Sequence, residues 1–155
     1  MKTWAIAITG IIVVAICAFL VMNKVSPVGW GMWGDYNSSS GVALKGYDPV
    51  AYFKDQEATP GSEEFTVDWG GTSWQFVDAD SKALFEQNPD AYAPEFGGYC
   101  SFAIGKGFTA DISPDAWHIN AGKLYVFADK KVRDEWVTGI GYGTLEASTA
   151  IWDKR

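Results

Sequence analysis

Polarity changes abruptly near residue 24. Residues 3–23 carry no charged side chain and residues 4–22 are almost all apolar, whereas apolar and polar positions interleave from there to the end. As a helix the first segment rises about 1.5 Å per residue and reaches roughly 30 Å, the thickness of a bilayer's hydrocarbon core. Its apolar run exceeds the about 7–15 residues of a secretory signal, and 19–23 offers no small-x-small cleavage site. Ile16 before Cys17 also departs from a lipoprotein signal. The pattern predicts an uncleaved, single-pass transmembrane anchor over residues 1–24, with the lipid bilayer as its surroundings. Lys2 and Lys24 nearly balance, so the default orientation puts the rest of the chain on the periplasmic or extracytoplasmic side.

Residues 25–41 read as a juxtamembrane linker rich in Gly, Trp and Ser. Trp30, Met32 and Trp33 suit an interface with headgroups or with a neighbouring membrane protein. Period-two alternation then marks strands. Phe65, Val67 and Trp69 alternate with polar residues ahead of Gly70-Gly71, and Trp74 and Phe76 follow, which predicts a β-hairpin. Residues 117–120 and 123–127 around Ala121-Gly122 predict a second. Asp78 and Asp129 are placed to cap helices reaching Gln87 and about Thr138. Pro89 opens a short helix, and residues 99–104 give a further helical turn. Asp48-Pro49 is a turn pair leading into a strand or core plug. No internal repeat is visible along the chain. The order predicts an α+β fold: a single N-terminal transmembrane helix followed, over residues 42–155, by a small domain of antiparallel hairpins and short helices.

Charge narrows the partners. The chain has twelve basic and nineteen acidic side chains, a formal charge of −7. Lys2 and Lys24 flank the apolar segment, so the remainder is near −9. That argues against nucleic acid, whose phosphates need a basic face. Cys17 and Cys100 lie in different regions and build no disulfide framework.

The motifs come in a definite order: Gly46-Tyr47-Asp48-Pro49-Val50-Ala51-Tyr52-Phe53, Trp74-Gln75-Phe76, Phe85, Asn88-Pro89, Tyr92-Ala93-Pro94, Gly97-Gly98-Tyr99-Cys100 and Gly122-Lys123-Leu124-Tyr125. Together they resemble the YHS domain family, in the longer form typical of bacterial YHS domain-containing proteins, over about residues 42–152. The resemblance implies the small α+β fold above. In the short form of the family, three cysteines bind metal; the positions that match them here are Ala51, Val77 and Ser81, none a soft ligand. Cys100 matches the cysteine of the long form's Gly-Gly-Tyr-Cys motif.

Cys100 and His118 are the weak candidates for metal. Cys100 reads as a small buried hydrophobe or as a thiol activated at a helix start; His118 reads as a strand residue. Two donors fall short of a metal site, so no cofactor is expected, copper being the alternative. Nucleophilic catalysis needs Cys and His in contact with an orienting third group; Asp48, Asp111 or Asp115 could serve, but nothing in the sequence argues that they do, and no catalytic residue is assigned. The expectation is a non-catalytic, membrane-anchored YHS-like domain serving as accessory subunit beside integral membrane proteins. The alternative is copper binding or delivery through Cys100 and His118.

Overall fold

The computed structural model describes residues 2–38, 41–140 and 143–155, with the side chains of residues 2–7 outside the description. Lys2–Met22 forms helix α1. Every side chain from residue 8 to 22 is exposed, among them Ile11, Val14, Phe19 and Met22. One expectation is corrected here. Among the described residues no helix is long and apolar enough to cross a membrane. The fold class is α+β, and neither the transmembrane helix expected over residues 1–24 nor the membrane descriptors that rested on it is supported.

Residues 25–38 form a packed strap. Ser26–Pro27 (β1) pairs antiparallel with Phe108–Thr109 (β4), and the Val28 N–H donates to the Gly107 carbonyl at 3.0 Å. Asn37 is buried, its Nδ2 donating to the Gly98 carbonyl and to Asp111 Oδ1. Tyr36 packs its ring against Trp69 and Trp74, over Gly70, where an added Cβ would meet the Tyr36 ring at 2.6 Å.

The domain proper follows as a 3₁₀ turn Ala43–Gly46, helical turn α2 (Ala51–Lys54), strands β2 (Ser62–Trp69) and β3 (Thr72–Phe76), and helices α3 (Ala79–Gln87) and α4 (Pro89–Tyr92). After α4 comes a second 3₁₀ turn, Glu95–Gly98, then α5 (Ser101–Ile104), β4, β5 (Ser113–Asn120), β6 (Lys123–Phe127), α6 (Lys130–Gly139) and α7 (Thr144–Trp152). Among the described residues the strands make three two-stranded sheets, β1-β4, β2-β3 and β5-β6. The stretch after Asp48-Pro49 enters the core as a helical turn rather than a strand, burying Val50, Ala51 and Tyr52.

The same unit occurs twice, which corrects the reading of a chain without repeats. Ser62 pairs with Phe76, a bulge follows, and pairing resumes at Thr66 with Gln75. Fifty-one residues later, Ser113 pairs with Phe127, a bulge follows, and pairing resumes at Trp117 with Val126. Asp78 caps α3 by accepting from the Ser81 N–H, and Asp129, 51 residues on, caps α6 by accepting from the Val132 N–H. From the 3₁₀ turns to Asp48 and Cys100 the offset is 52, and it returns to 51 by Gln56 and Gly107. The turn at Ala43–Gly46 holds Leu44 and Lys45 at positive φ, and the turn at Glu95–Gly98 holds Phe96 and Gly97 at positive φ.

Each unit has its own aromatic core at matching positions. Phe85 of α3 packs on Trp74 and Phe76 with ring centroids 5.1 Å apart in both cases. Trp136 of α6 packs on Tyr125 and Phe127 at 5.0 and 5.2 Å. Tyr52 of the first unit joins them, stacking edge-on against Trp117 and donating to the Pro114 carbonyl of the second. Burying rings of this size dominates the stability of a small domain.

Candidate functional site

Asp48 is the polar centre of the first unit. It is fully buried. Its Oδ1 accepts from the N–H groups of Val50 (2.7 Å) and Ala51 (3.3 Å), and its Oδ2 from the Val77 N–H (2.9 Å). Pro49 cannot donate, so the carboxylate skips it and caps the turn that Pro starts. Burial raises the Asp48 carboxyl above its ordinary range, against the downward pull of those three amides. Ser81 Oγ lies beside this carboxylate, fully buried and without a hydrogen bond of good geometry. Ala51, Val77 and Ser81 thus converge on one carboxylate. These are the three positions that match the short-form cysteines. The arrangement holds one methyl, one isopropyl and one hydroxyl where a soft metal would need thiolates. It can join β3, α2 and α3, and offers no ligand set.

Cys100 is the counterpart of Asp48 in the second unit. The Asp48 N–H donates to the Thr59 carbonyl, and the Cys100 N–H to the Ala110 carbonyl. The N–H groups of Ala103, Ala128 and Phe102 point at its sulfur, matching Ala51, Val77 and Val50 around Asp48. Burial nevertheless pushes the thiol up, and this outweighs the amides. His118 is half-buried on β5, opposite Tyr125. Burial and then the Arg133 charge lower its pKa. The two candidates are not brought together. Cys100 is tied to Ala128, three residues beyond Tyr125, which is roughly 10 Å along a strand. Among the described residues no group of three or more His, Cys, Asp or Glu is placed to hold a metal.

The residues proposed for an interface lie together. Trp30 and Met32 are 70 % and 53 % exposed. Trp33 packs against the core, with its Nε1 buried and unpartnered. Met32 and Trp33 line a groove of about 530 Å³ with Val28, Tyr99, Trp152 and Arg155. Arg155 lies over the Trp152 ring, 3.7 Å from its centroid, and donates to Asp35 at 3.0 Å. Tyr99 closes the floor, its hydroxyl donating to the Gly34 carbonyl and its pKa pushed up to about 12, chiefly by burial. Phe108, paired with Pro27 on β4, is also exposed.

Sequence reasoning missed Asp48 as a junction, although Asp-Pro followed by an apolar run was its signal. It also missed Trp152 and Arg155, whose role depends on a fold-back no local pattern carries.

No family model, curated protein or solved structure matches the chain.

Proposed function

We propose that this chain is a non-catalytic accessory module, built on a YHS-like scaffold, that docks on a larger protein assembly through α1 and the adjoining strap. The observation that carries it is α1 itself. A surface helix of a stable domain keeps its apolar side chains to one stripe. Here Ile8, Ile11, Ile12, Val13, Val14 and Ile16 are all at least half exposed, and they cover every face of the helix. Exposed apolar area of this extent marks an interaction site. The occupant is a protein that encloses the helix with apolar side chains, because the surface at its base is grooved and carries Asp35, Arg155 and Trp33, groups that a polypeptide can pair with. The scaffold supports the same reading, since Ala51, Val77 and Ser81 put no soft ligand at the positions where the short form carries cysteines.

The test compares the full chain with Ile12→Glu/Ile16→Glu, each co-expressed with its native partners, by the size of the assembly recovered. Loss of the assembly in the double variant, with the melting temperature unchanged, supports the reading. An assembly of unchanged size overturns it, as does a chain that binds only vesicles of phosphatidylcholine and phosphatidylglycerol.

A further inference from the structure

The two units differ at one edge. In the second, β4 is covered: Ser26 and Pro27 of the strap pair with Thr109 and Phe108, and the Val28 N–H reaches the Gly107 carbonyl. Thr109 Oγ1 strengthens this, accepting from the Ser26 N–H at 3.2 Å and donating to the Lys24 carbonyl at 2.8 Å. The counterparts in the first unit, 51 residues earlier, are Gln56, Glu57 and Ala58. Gln56 has a positive φ, as Gly107 does, so the backbone turns the same way at both places. Yet among the described residues nothing pairs with this edge. The backbone N–H and C=O groups of Glu57 and Ala58 make no hydrogen bond, and Gln56 and Glu57 are exposed. An edge with unpaired backbone groups is a template for another chain.

Space for that chain is present. A groove of about 600 Å³ borders Gln56 and runs along β5 and α6, lined by half-buried Trp117, Ile119 and Val137 and rimmed by charges of both signs, Asp115, Lys130, Arg133 and Asp134, with His118. We infer that the edge at 56–58 takes an extended segment of a partner protein, of the form small residue–proline–apolar residue. Such a segment pairs with this edge as Ser26-Pro27-Val28 pairs with β4, and sets its apolar residue over Trp117. The occupant follows from the molecule, since the matching edge already holds a segment of that chemistry. In the strap Ser26 and Val28 are buried while Pro27, which has no N–H to offer, stays half-exposed. The surface is separate from α1, and its test needs no partner of α1.

The probe is a synthetic peptide of residues 23–30, titrated into the full chain and followed by amide NMR. The expected result is a saturable shift at 56–58 and 117–119. Ala58→Thr, which supplies the hydroxyl that Thr109 has, tightens binding about tenfold. Ala58→Pro, which removes the edge donor, abolishes it. No saturable shift at 56–58, shifts confined to β4 where the peptide displaces the chain's own strap, or an affinity unmoved by Ala58→Thr would each overturn the inference. Ala58→Thr keeps the test decisive if the proline variant does not fold.

Discussion

At the residue scale the molecule turns on one position used twice, Asp48 and Cys100. A buried carboxylate with three amide donors joins segments that no local hydrogen bond could join. Asp48→Ala leaves those N–H groups unpaired, and each orphaned donor costs about 1–3 kcal/mol. Urea unfolding should show a loss of at least about 3 kcal/mol. The pH dependence has a definite sign. Burial raises the folded-state pKa of Asp48, so the native chain binds that proton more tightly than the unfolded chain does. The resulting stability is full below the unfolded value of about 3.9 and is lost as pH rises through the folded value. As pH rises from below the unfolded value through the folded one, the unfolding free energy should fall with a component that Asp48→Asn lacks. Asp78, whose carboxyl is held low chiefly by the Ser81 amide, contributes the opposite slope to both proteins, so their difference isolates Asp48. Cys100, 2 % exposed with its thiol pushed up by burial, should be alkylated at the rate of unfolding. Rapid modification of the folded chain at neutral pH would refute that.

At the element scale the strap holds the two units in register. Its fit depends on Gly97, which has a φ of +59°, and an added Cβ there would collide with the Asp35 carbonyl. Gly97→Ala should cost about 2 kcal/mol or more and open residues 25–38 to protease while the hairpins stay folded. The converging positions around Asp48 allow a constructive test. Ala51→Cys, Val77→Cys and Ser81→Cys together should give a chain that takes up one equivalent of zinc or copper(I), whereas Cys100→Ser should leave metal content unchanged. Failure of the triple variant to bind metal would show that the three positions only appear convergent at the backbone level. Hairpins and caps were legible in the sequence because Gly70-Gly71, Ala121-Gly122, Asp78 and Asp129 act locally. The strap was not. Its partners lie 33 to 120 residues away, and Gly- and Trp-rich composition reads as linker until those partners are seen.

At the scale of the whole molecule, duplication explains why two hairpins, two capped helices and two strained 3₁₀ turns recur in one order. It stayed hidden in the sequence because few residues are shared. Tyr47 with Tyr99, Phe76 with Phe127 and Asp78 with Asp129 persist, while Phe85 becomes Trp136 and Trp74 becomes Tyr125, swaps that keep ring packing and change the letter. Truncating either central ring should cost about 3–5 kcal/mol, so Phe85→Ala and Trp136→Ala should lower the melting temperature alike. A much smaller loss for one would show that the two cores are unequal. The candidate site was legible only in part. Trp30 and Met32 stood out by composition, and Asp48, Trp152 and Arg155 emerged only in three dimensions.

The central claim, that the chain is a docking module, is tested most directly by its mass at native abundance in a gently prepared extract. We predict that the full chain runs in a defined assembly with other polypeptides at fixed stoichiometry, and that Trp30→Ala with Met32→Ala releases it. A chain that runs alone at its own mass, before any substitution, would contradict the account.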